Sequence, residues 1–376
     1  MRRPAKRRSP LKRSAPKRLY FIPVLSKALD ILELLQNERA SLSLEAMYKR
    51  TNISKTTIYR ILKTLVHRGY VAPSEGGLYR LMTRPKKPRF GFGGQSGEMP
   101  FSQAVTDSLR AAASAAGVDL LVLDNRYDAS TALTNADEFV REHVDLVIEF
   151  QIDKRVAPVI AHKIDDAGIP LIAVDIPHPH STFFGVDNYL VGFEAGEYLA
   201  QHAKKAWGGK VRWVFGLDIE EAGSLVQSRI TGAFEGIRSV LPGLSDSNLI
   251  RMDGRGMRDK SYRLVLDFLR RNPQDRGILV AAATDTSALG AVQAVKELKL
   301  EKHVAIVGQD CISEAMEEMR VVGSPLIGSV SHEAQSYGPR LIHLALAILA
   351  GQRVPPYNYV EHKLVAASSV GEVRRV

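Results

Sequence analysis

The sequence has almost no cysteine: Cys311 is the only one among 376 residues. A single thiol excludes a disulfide within the chain, and no group of Cys and His residues has the spacing of a zinc site. The apolar runs all fall far short of the roughly 18 residues that a membrane-spanning helix needs. These absences exclude a disulfide-stabilised fold, a zinc site and a membrane partner, and we expect neither metal nor cofactor.

The sequence also lacks the apolar segment of a secretory signal. The chain opens with many Lys and Arg residues, but the apolar stretch Leu19–Ile22 stops at Pro23. A secretory segment needs about 7–15 apolar residues at this point. The sequence therefore predicts a cytoplasmic protein.

Acidic residues are scarce at the start of the chain. Residues 1–89 hold 22 Lys/Arg and 5 Asp/Glu, a net charge of +17, whereas residues 90–376 hold 29 and 36, a net charge of −7. A basic first part predicts an acidic polymer as its partner, and an acidic remainder predicts a separate task. Residues 1–18, with nine Lys/Arg, three Pro and no acid, predict a disordered arm that contacts phosphates or only increases solubility.

Residues 19–83 have the pattern of a small helical domain. Apolar residues recur at helical spacing in residues 24–36 and 42–50, and again after Ser54, which occupies an N-cap position. Gly76-Gly77 lies between two short β-prone runs and predicts a hairpin. Two helices, a tight turn, a third helix and a hairpin predict a winged helix-turn-helix. The third helix has a polar, basic outer face.

The rest of the chain has the pattern of an α/β body. Residues 84–89 contain two prolines and four cations and predict a linker. From Phe90 onward, β-like and helical runs alternate, which predicts two lobes built on doubly wound parallel sheets. Ligands bind beyond the carboxyl ends of such strands. Five acidic residues follow strands in this way: Asp124, Asp175, Asp187, Asp285 and Asp310. For Asp187 and Asp285 we favour helix capping as the role.

The small domain resembles the IclR-type winged helix-turn-helix over about residues 22–83. The resemblance rests on Ser54-Lys55-Thr56-Thr57-Ile58-Tyr59-Arg60 and on Gly69-Tyr70-Val71 downstream. It implies a dimer that places its third helix in the major groove of a double-stranded DNA operator. We expect Arg60 to contact a guanine and Lys63 to contact phosphate. The residues expected to bind DNA are Lys55, Thr56, Thr57, Tyr59, Arg60 and Lys63.

The body resembles the type I periplasmic sugar-binding proteins and the LacI-type effector domains, from about Phe90 to Val365. The resemblance rests on an ordered set of motifs: Gly168–Asp175, Val186-Asp187-Asn188, Ser228-Arg229-x-x-Gly232, Thr284-Asp285 and Val304–Asp310. It implies a ligand-binding domain over residues 90–368, with lobe 1 at 90–190 and 331–358 and lobe 2 at 191–330 and 359–368. The ligand residues implied by position are Phe101, Asp175, Arg229, Thr284, Asp310 and His332.

Several positions depart from the pattern of the sugar-binding family. Met99, Ile176, Thr284 and His332 stand where an amide, an arginine, an asparagine and a glutamine are common. These departures predict a less polar pocket, which leaves a deoxy sugar, a modified sugar or a non-sugar ligand open.

The two resemblances together predict a transcriptional regulator rather than an enzyme. Such a protein would bind an operator as a homodimer or higher oligomer and sense a small carbohydrate or carbohydrate-like ligand. The alternative is a solute-binding receptor of a sugar transport system, which fits the body but not the basic first domain. We find no phosphate-binding loop and no acid/base pair, so we predict no catalytic residues.

Overall fold

The computed structural model of the protein describes residues 22–38, 41–82 and 87–370. The predicted basic arm (1–18) and residues 84–86 of the predicted linker lie outside the described residues. The chain divides into two compact units, Met1–Lys86 and Lys87–Val376.

The first unit is a winged helix-turn-helix. Its elements in chain order are α1 (Pro23–Glu38), β1 (Leu42–Ser43), α2 (Leu44–Thr51), α3 (Lys55–His67), β2 (Val71–Ser74) and β3 (Leu78–Leu81). The Ser54 hydroxyl accepts a hydrogen bond from the Thr57 N–H and caps α3, as its position predicts. Strands β2 and β3 form an antiparallel hairpin, and β1 pairs with β3. Ile31, Met47 and Leu62 are fully buried in its core.

The second unit alternates strands and helices along the chain. Its strands are β4 (Arg89–Gly94), β5 (Asp119–Asp124), β6 (Leu146–Glu149), β7 (Leu171–Val174), β8 (Thr182–Gly185), β9 (Trp213–Asp218), β10 (Leu249–Asp253), β11 (Ile278–Ala282), β12 (Val304–Gln309), β13 (Leu326–Ser331), β14 (Tyr357–Tyr359) and β15 (Lys363–Ala366). Its helices are α4 (Pro100–Ala116), α5 (Ala129–Arg141), α6 (Ala157–Asp166), α7 (Asn188–Trp207), α8 (Ser224–Val240), α9 (Arg258–Arg271), α10 (Asp285–Glu297), α11 (Ser313–Met319) and α12 (Ala334–Leu349).

These strands form two six-stranded sheets, which define two lobes. The sheet of lobe 1 has the order β14-β8-β7-β6-β4-β5 and is parallel throughout. The sheet of lobe 2 has the order β10-β9-β11-β12-β13-β15, and only β15 runs antiparallel to its neighbour. The predicted α/β body of two doubly wound parallel-sheet lobes is confirmed.

The chain passes between the two sheets three times. The passages lie between β8 and α7, between β13 and α12, and between β14 and β15. Because the passages adjoin strands of both sheets, the strand ends of the two lobes meet beside them. The sequence pattern did not predict β10, β14 or β15. All three lie at the outer side of a sheet and are only partly buried, so they lack the continuous apolar run that marks the central strands.

Helices α7 and α8 pack with their backbones in direct contact. A Cβ atom on Gly192 would lie 1.8 Å from the carbonyl oxygen of Arg229, and one on Gly232 would lie 2.1 Å from that of Tyr189. Gly196 and Gly236 make the same kind of approach one turn further along. Only glycine permits this spacing, so the pair of helices holds Arg229 at a fixed position.

Candidate ligand cavity and DNA-binding helix

A cavity with a free volume of about 60 Å³ lies between the two lobes of the body. It is lined by side chains that follow the carboxyl ends of β4, β6, β7, β11, β12 and β13, as expected for parallel sheets. The six residues predicted to bind ligand all line it: Phe101, Asp175, Arg229, Thr284, Asp310 and His332.

Arg229 is 6% exposed and is held by three hydrogen bonds. Its Nε and Nη2 donate to Asn188 Oδ1 at 3.0 and 2.6 Å, and its Nη1 donates to the carbonyl oxygen of Ala283 at 2.5 Å. Its charge opposes the rise in the pKa of both Asp175 and Asp310. The guanidinium of Arg229 is therefore held in one place by hydrogen bonds, and its charge acts on two carboxyl groups.

The two carboxyl groups of the cavity are hard to ionise. Burial raises the pKa of Asp175 to about 6, against the charge of Arg229. Burial and the nearby Asp285 carboxyl raise the pKa of Asp310 well above its usual range. Asp285 itself accepts hydrogen bonds from Ser329 Oγ at 2.7 Å and from the Ile312 N–H at 3.0 Å. The charge of Asp285 therefore disfavours ionisation of Asp310, and burial raises the pKa of Asp285 itself to about 7.

His332 is buried beside Asp310 and carries no charge. Its Nε2 lies 2.9 Å from Gln309 Oε1, and its Nδ1 lies 3.4 Å from Asp310 Oδ1. Burial and the charge of Arg229 lower the pKa of His332 well below its usual value. Its ring therefore lines the cavity without adding a positive charge, and both of its nitrogens lie against protein groups.

The remaining acidic residues that follow strands have other roles. Asp187 accepts from the Leu190 N–H at 3.1 Å and caps α7, as expected. The expectation that Asp285 caps the next helix is wrong, because the Thr284 hydroxyl caps α10 by accepting from the Ser287 N–H at 3.1 Å. Asp124 is exposed and accepts from the Arg126 N–H in a turn. Neither Asp124, Asp187 nor Asp285 lines the cavity.

The sequence analysis overlooked several residues that line the cavity. Gln95 and Gln151 follow β4 and β6, so the strand-end rule, applied to amides as well as acids, would have found them. Gln151 is 2% exposed, and its Nε2 has no hydrogen-bond partner among the described residues. Tyr127 and Phe150 add aromatic rings, and Tyr127 lies in a loop that no sequence pattern marks.

Direct contacts close the cavity on the side of the β5–α5 and β6–α6 loops. Tyr127 Oη of lobe 1 donates to the carbonyl oxygen of Arg255 in lobe 2 at 2.8 Å. The Lys154 N–H of lobe 1 donates to the carbonyl oxygen of Glu221 in lobe 2 at 2.9 Å. Because these contacts join the two lobes, a ligand enters the cavity on this side only when the lobes move apart.

In the first unit, α3 carries all six residues predicted to bind DNA. Lys55, Thr56, Tyr59, Arg60 and Lys63 are exposed, whereas Thr57 is half-buried. Some are partly engaged: Lys55 pairs with Glu45, Thr57 Oγ1 lies 2.8 Å from Ser54 Oγ, and Lys63 Nζ lies 5.7 Å from the centre of the Tyr59 ring. Within the described part of the chain, Arg60 has neither an ion pair nor a hydrogen bond from its guanidinium. It is thus the most available cation on α3.

The fold and the cavity define a two-lobed ligand-binding protein that also carries a winged helix-turn-helix. The chain belongs to the family of proteins with a periplasmic binding protein domain, whose model matches residues 90–353. Residues 24–75 match the IclR helix-turn-helix domain. The fusion expected from the two resemblances is therefore confirmed.

Individual relatives match more than half of the chain. A D-apiose import binding protein from Paraburkholderia graminis is 25% identical over 217 residues, which cover 57% of this chain and 67% of that protein. A periplasmic solute binding protein from Actinobacillus succinogenes with bound D-allose is 19% identical, with a TM-score of 0.66 over 76% of this chain and all of that one.

A protein from Mycobacterium smegmatis in complex with β-D-fucofuranose is 23% identical, with a TM-score of 0.66 over 76% of this chain and 93% of that one. At these identities, the solved structures establish the fold of the body.

Among the described residues, none of the helices is both long and apolar enough to cross a membrane.

Proposed function

We propose that this protein is a ligand-responsive DNA-binding transcriptional regulator of the cytoplasm. It would bind an operator as a homodimer or higher oligomer and sense a small sugar-like molecule between the lobes of its body. One observation carries the proposal: a single chain joins an exposed, basic helix α3 in an IclR domain to a cavity lined by buried polar groups. A DNA-binding surface and a ligand cavity in one chain are the two parts that such a regulator needs.

The chemistry of the cavity supports a hydroxylated ligand. Asp175 and Asp310 supply acceptors, and Gln151 Nε2 supplies a donor that lacks a partner among the described residues. Charged and amide groups of this kind bind hydroxyls through strong, directional hydrogen bonds. Phe101 supplies an apolar face for the carbon skeleton of a ring. The named or bound sugars of the relatives, D-apiose, D-allose and β-D-fucofuranose, belong to the same class.

Regulation would follow from the two positions of the lobes. A ligand that binds the closed lobes more tightly than the open ones shifts the population toward closure. The interlobe hydrogen bonds of Tyr127 and Lys154 exist only when the lobes are closed over the cavity. A dimer in which closure changes the spacing of its two DNA-binding domains would then respond to ligand through differential affinity alone.

The alternative function is a solute-binding receptor of a sugar transport system. The likeness to the D-apiose import binding protein supports it. A transport receptor would make no use of an IclR domain, so we favour the regulator. Neither matched family is a family of enzymes, and we propose no catalytic role.

Selection of genomic DNA fragments by the full chain at near-physiological salt tests the proposal. We expect enrichment of one inverted repeat, because a symmetric dimer binds two half-sites. Sugars and polyols are then titrated into the purified complex of the protein with that repeat. At least one of them should change the stability of the protein–DNA complex. Enrichment without a shared sequence would contradict operator binding and favour the receptor.

A further inference from the structure

We infer that the ligand of the interlobe cavity carries a protonated amine beside its hydroxyls, as in an aminodeoxy sugar or an amino polyol, and that the ammonium group lies between Asp175 and Asp310. This inference deepens the proposed function and rests on it.

The charges around the cavity are unbalanced. Asp175 lines it from lobe 1 and Asp310 lines it from lobe 2, and the charge of Asp285 raises the pKa of Asp310. Arg229 is the one Lys or Arg residue among the lining side chains of the described chain, and His332 is neutral. Two carboxyl groups, those of Asp175 and Asp310, therefore line the cavity against a single guanidinium group. A positive charge on the ligand would give the second carboxyl group a partner.

Arg229 cannot move to correct this imbalance. Three of its N–H groups are already donated to Asn188 and to the carbonyl oxygen of Ala283. The close packing of Gly192 against the Arg229 backbone also fixes where its side chain starts. A further cationic partner for Asp175 and Asp310 would therefore have to be supplied by the ligand.

Burial makes this imbalance costly. An ionised carboxylate away from water is strongly disfavoured unless it is paired. The raised pKa values of Asp175 and Asp310 express that cost. An ammonium group placed between them removes it, so a cationic ligand gains affinity that a neutral one of the same shape does not.

The aromatic lining suits the same group. Phe101, Tyr127 and Phe150 line the cavity, and the rings of Phe101 and Phe150 meet edge to face with centroids 6.4 Å apart. The faces of aromatic rings attract ammonium ions, most strongly where water is excluded. The unpartnered Nε2 of the buried Gln151 calls for an oxygen acceptor on the ligand. Together they indicate a molecule with both an amine and hydroxyls.

Calorimetric titration of the full chain with matched pairs of ligands tests the inference. The pairs are D-glucosamine with D-glucose, D-galactosamine with D-galactose, and 1-amino-1-deoxysorbitol with sorbitol. N-acetylated forms of the two amino sugars serve as uncharged controls. In the pair that binds, we expect the amine to bind about tenfold more tightly than its parent, because it gains charge-assisted hydrogen bonds. The N-acetylated form should lose this advantage.

Asp310→Asn should remove the preference for the amine. Asparagine is nearly the same size as aspartate and is one of the residues that tolerate positive φ, which is 105° here. We expect the amine to lose about tenfold in affinity and the neutral parent to change by about threefold at most. The control is Asp124→Asn, which neutralises an exposed carboxylate at the end of β5, outside the cavity. If Asp310→Asn does not fold, Asp175→Asn replaces it.

The outcomes separate this inference from the proposed function. A neutral parent that binds as tightly as its amine, or more tightly, overturns the inference and leaves sugar sensing intact. If no sugar, polyol or amine binds while the chain still selects an operator, the sugar-like ligand class and this inference both fail. Equal losses for amine and parent in Asp310→Asn would also overturn the inference, because the carboxylate would then bind hydroxyls without regard to charge.

Discussion

Two arginines, Arg60 in the first unit and Arg229 in the body, show how differently one residue type is used. Arg60 is exposed on α3 and has no ion-pair or hydrogen-bond partner among the described residues. Arg229 is 6% exposed and donates three hydrogen bonds within the protein. The exposed guanidinium is free for an external partner. The buried one supports the structure of the protein even though it lines the cavity.

The comparison extends to the surfaces around these arginines. The exposed face of α3 belongs to one continuous helix, so the spacing of residues along the chain determines which side chains lie on it. The cavity is formed by the ends of strands from two sheets, which the chain visits in three separate passages. Substitutions on α3 should therefore affect DNA binding alone, whereas substitutions around Arg229 should affect both ligand binding and folding.

Arg229→Ala should have the largest effect. It leaves Asn188 Oδ1 and the carbonyl oxygen of Ala283 without their donors, and it removes the cation that faces Asp175 and Asp310. Breaking a buried charged network of this kind costs about 3–5 kcal/mol. We expect denaturant unfolding of the full chain to show this loss in the transition of the body, together with loss of ligand binding.

Arg60→Ala is the matched control for that measurement, since removing an exposed side chain changes stability by about 0.5 kcal/mol at most. If Arg229→Ala lowers the free energy of unfolding by less than about 1 kcal/mol, a structural role for Arg229 is contradicted. Its removal would then affect stability no more than the removal of an exposed arginine such as Arg60.

Gly192→Ala should have the next largest effect, on the support of Arg229 rather than on Arg229 itself. The added Cβ would meet the Arg229 carbonyl oxygen, so α7 and α8 must separate. Overpacking of this kind costs about 1–3 kcal/mol. Gly243→Ala is the control, because a Cβ there meets nothing within 4 Å. Thermal unfolding compares the two variants, and equal melting temperatures would rule out close helix packing as the support of Arg229.

Arg60→Ala should weaken operator binding without changing the stability of the chain. Loss of a bidentate contact to a guanine costs about 1–3 kcal/mol and relaxes the preference at one base pair. Lys63→Ala should instead weaken binding to all sequences alike, since it is expected to contact phosphate. Binding of each variant to a set of operators with single base changes distinguishes these effects. An unchanged preference in Arg60→Ala would assign its role to another residue of α3.

The same contrast explains how much of the protein the sequence predicts. The elements of the first unit follow from local patterns, because the cap at Ser54 and the hairpin at Gly76-Gly77 each depend on a few adjacent residues. The positions of Asp175 and Asp310 follow from the general rule for parallel strands. The partners of Arg229 do not follow, since Asn188 and Ala283 are 41 and 54 residues away in the chain. The role of Tyr127 depends likewise on contact between lobes.

Tyr127→Phe should have the smallest effect and tests the closure of the lobes. It removes one hydrogen bond, from Tyr127 Oη to the carbonyl oxygen of Arg255, and keeps the ring that lines the cavity. A bond of this kind contributes about 0.5–1.5 kcal/mol. Because the bond exists only in the closed form, its loss should lower ligand affinity by up to about tenfold, with faster ligand release. The control is Tyr262→Phe, which removes an exposed hydrogen bond to Glu297 within lobe 2 and should leave ligand affinity unchanged. Equal ligand affinities in the two variants would mean that closure of the lobes does not depend on this contact. The contrast between the exposed face of α3 and the cavity would then rest on Arg229 and on the close packing of α7 against α8.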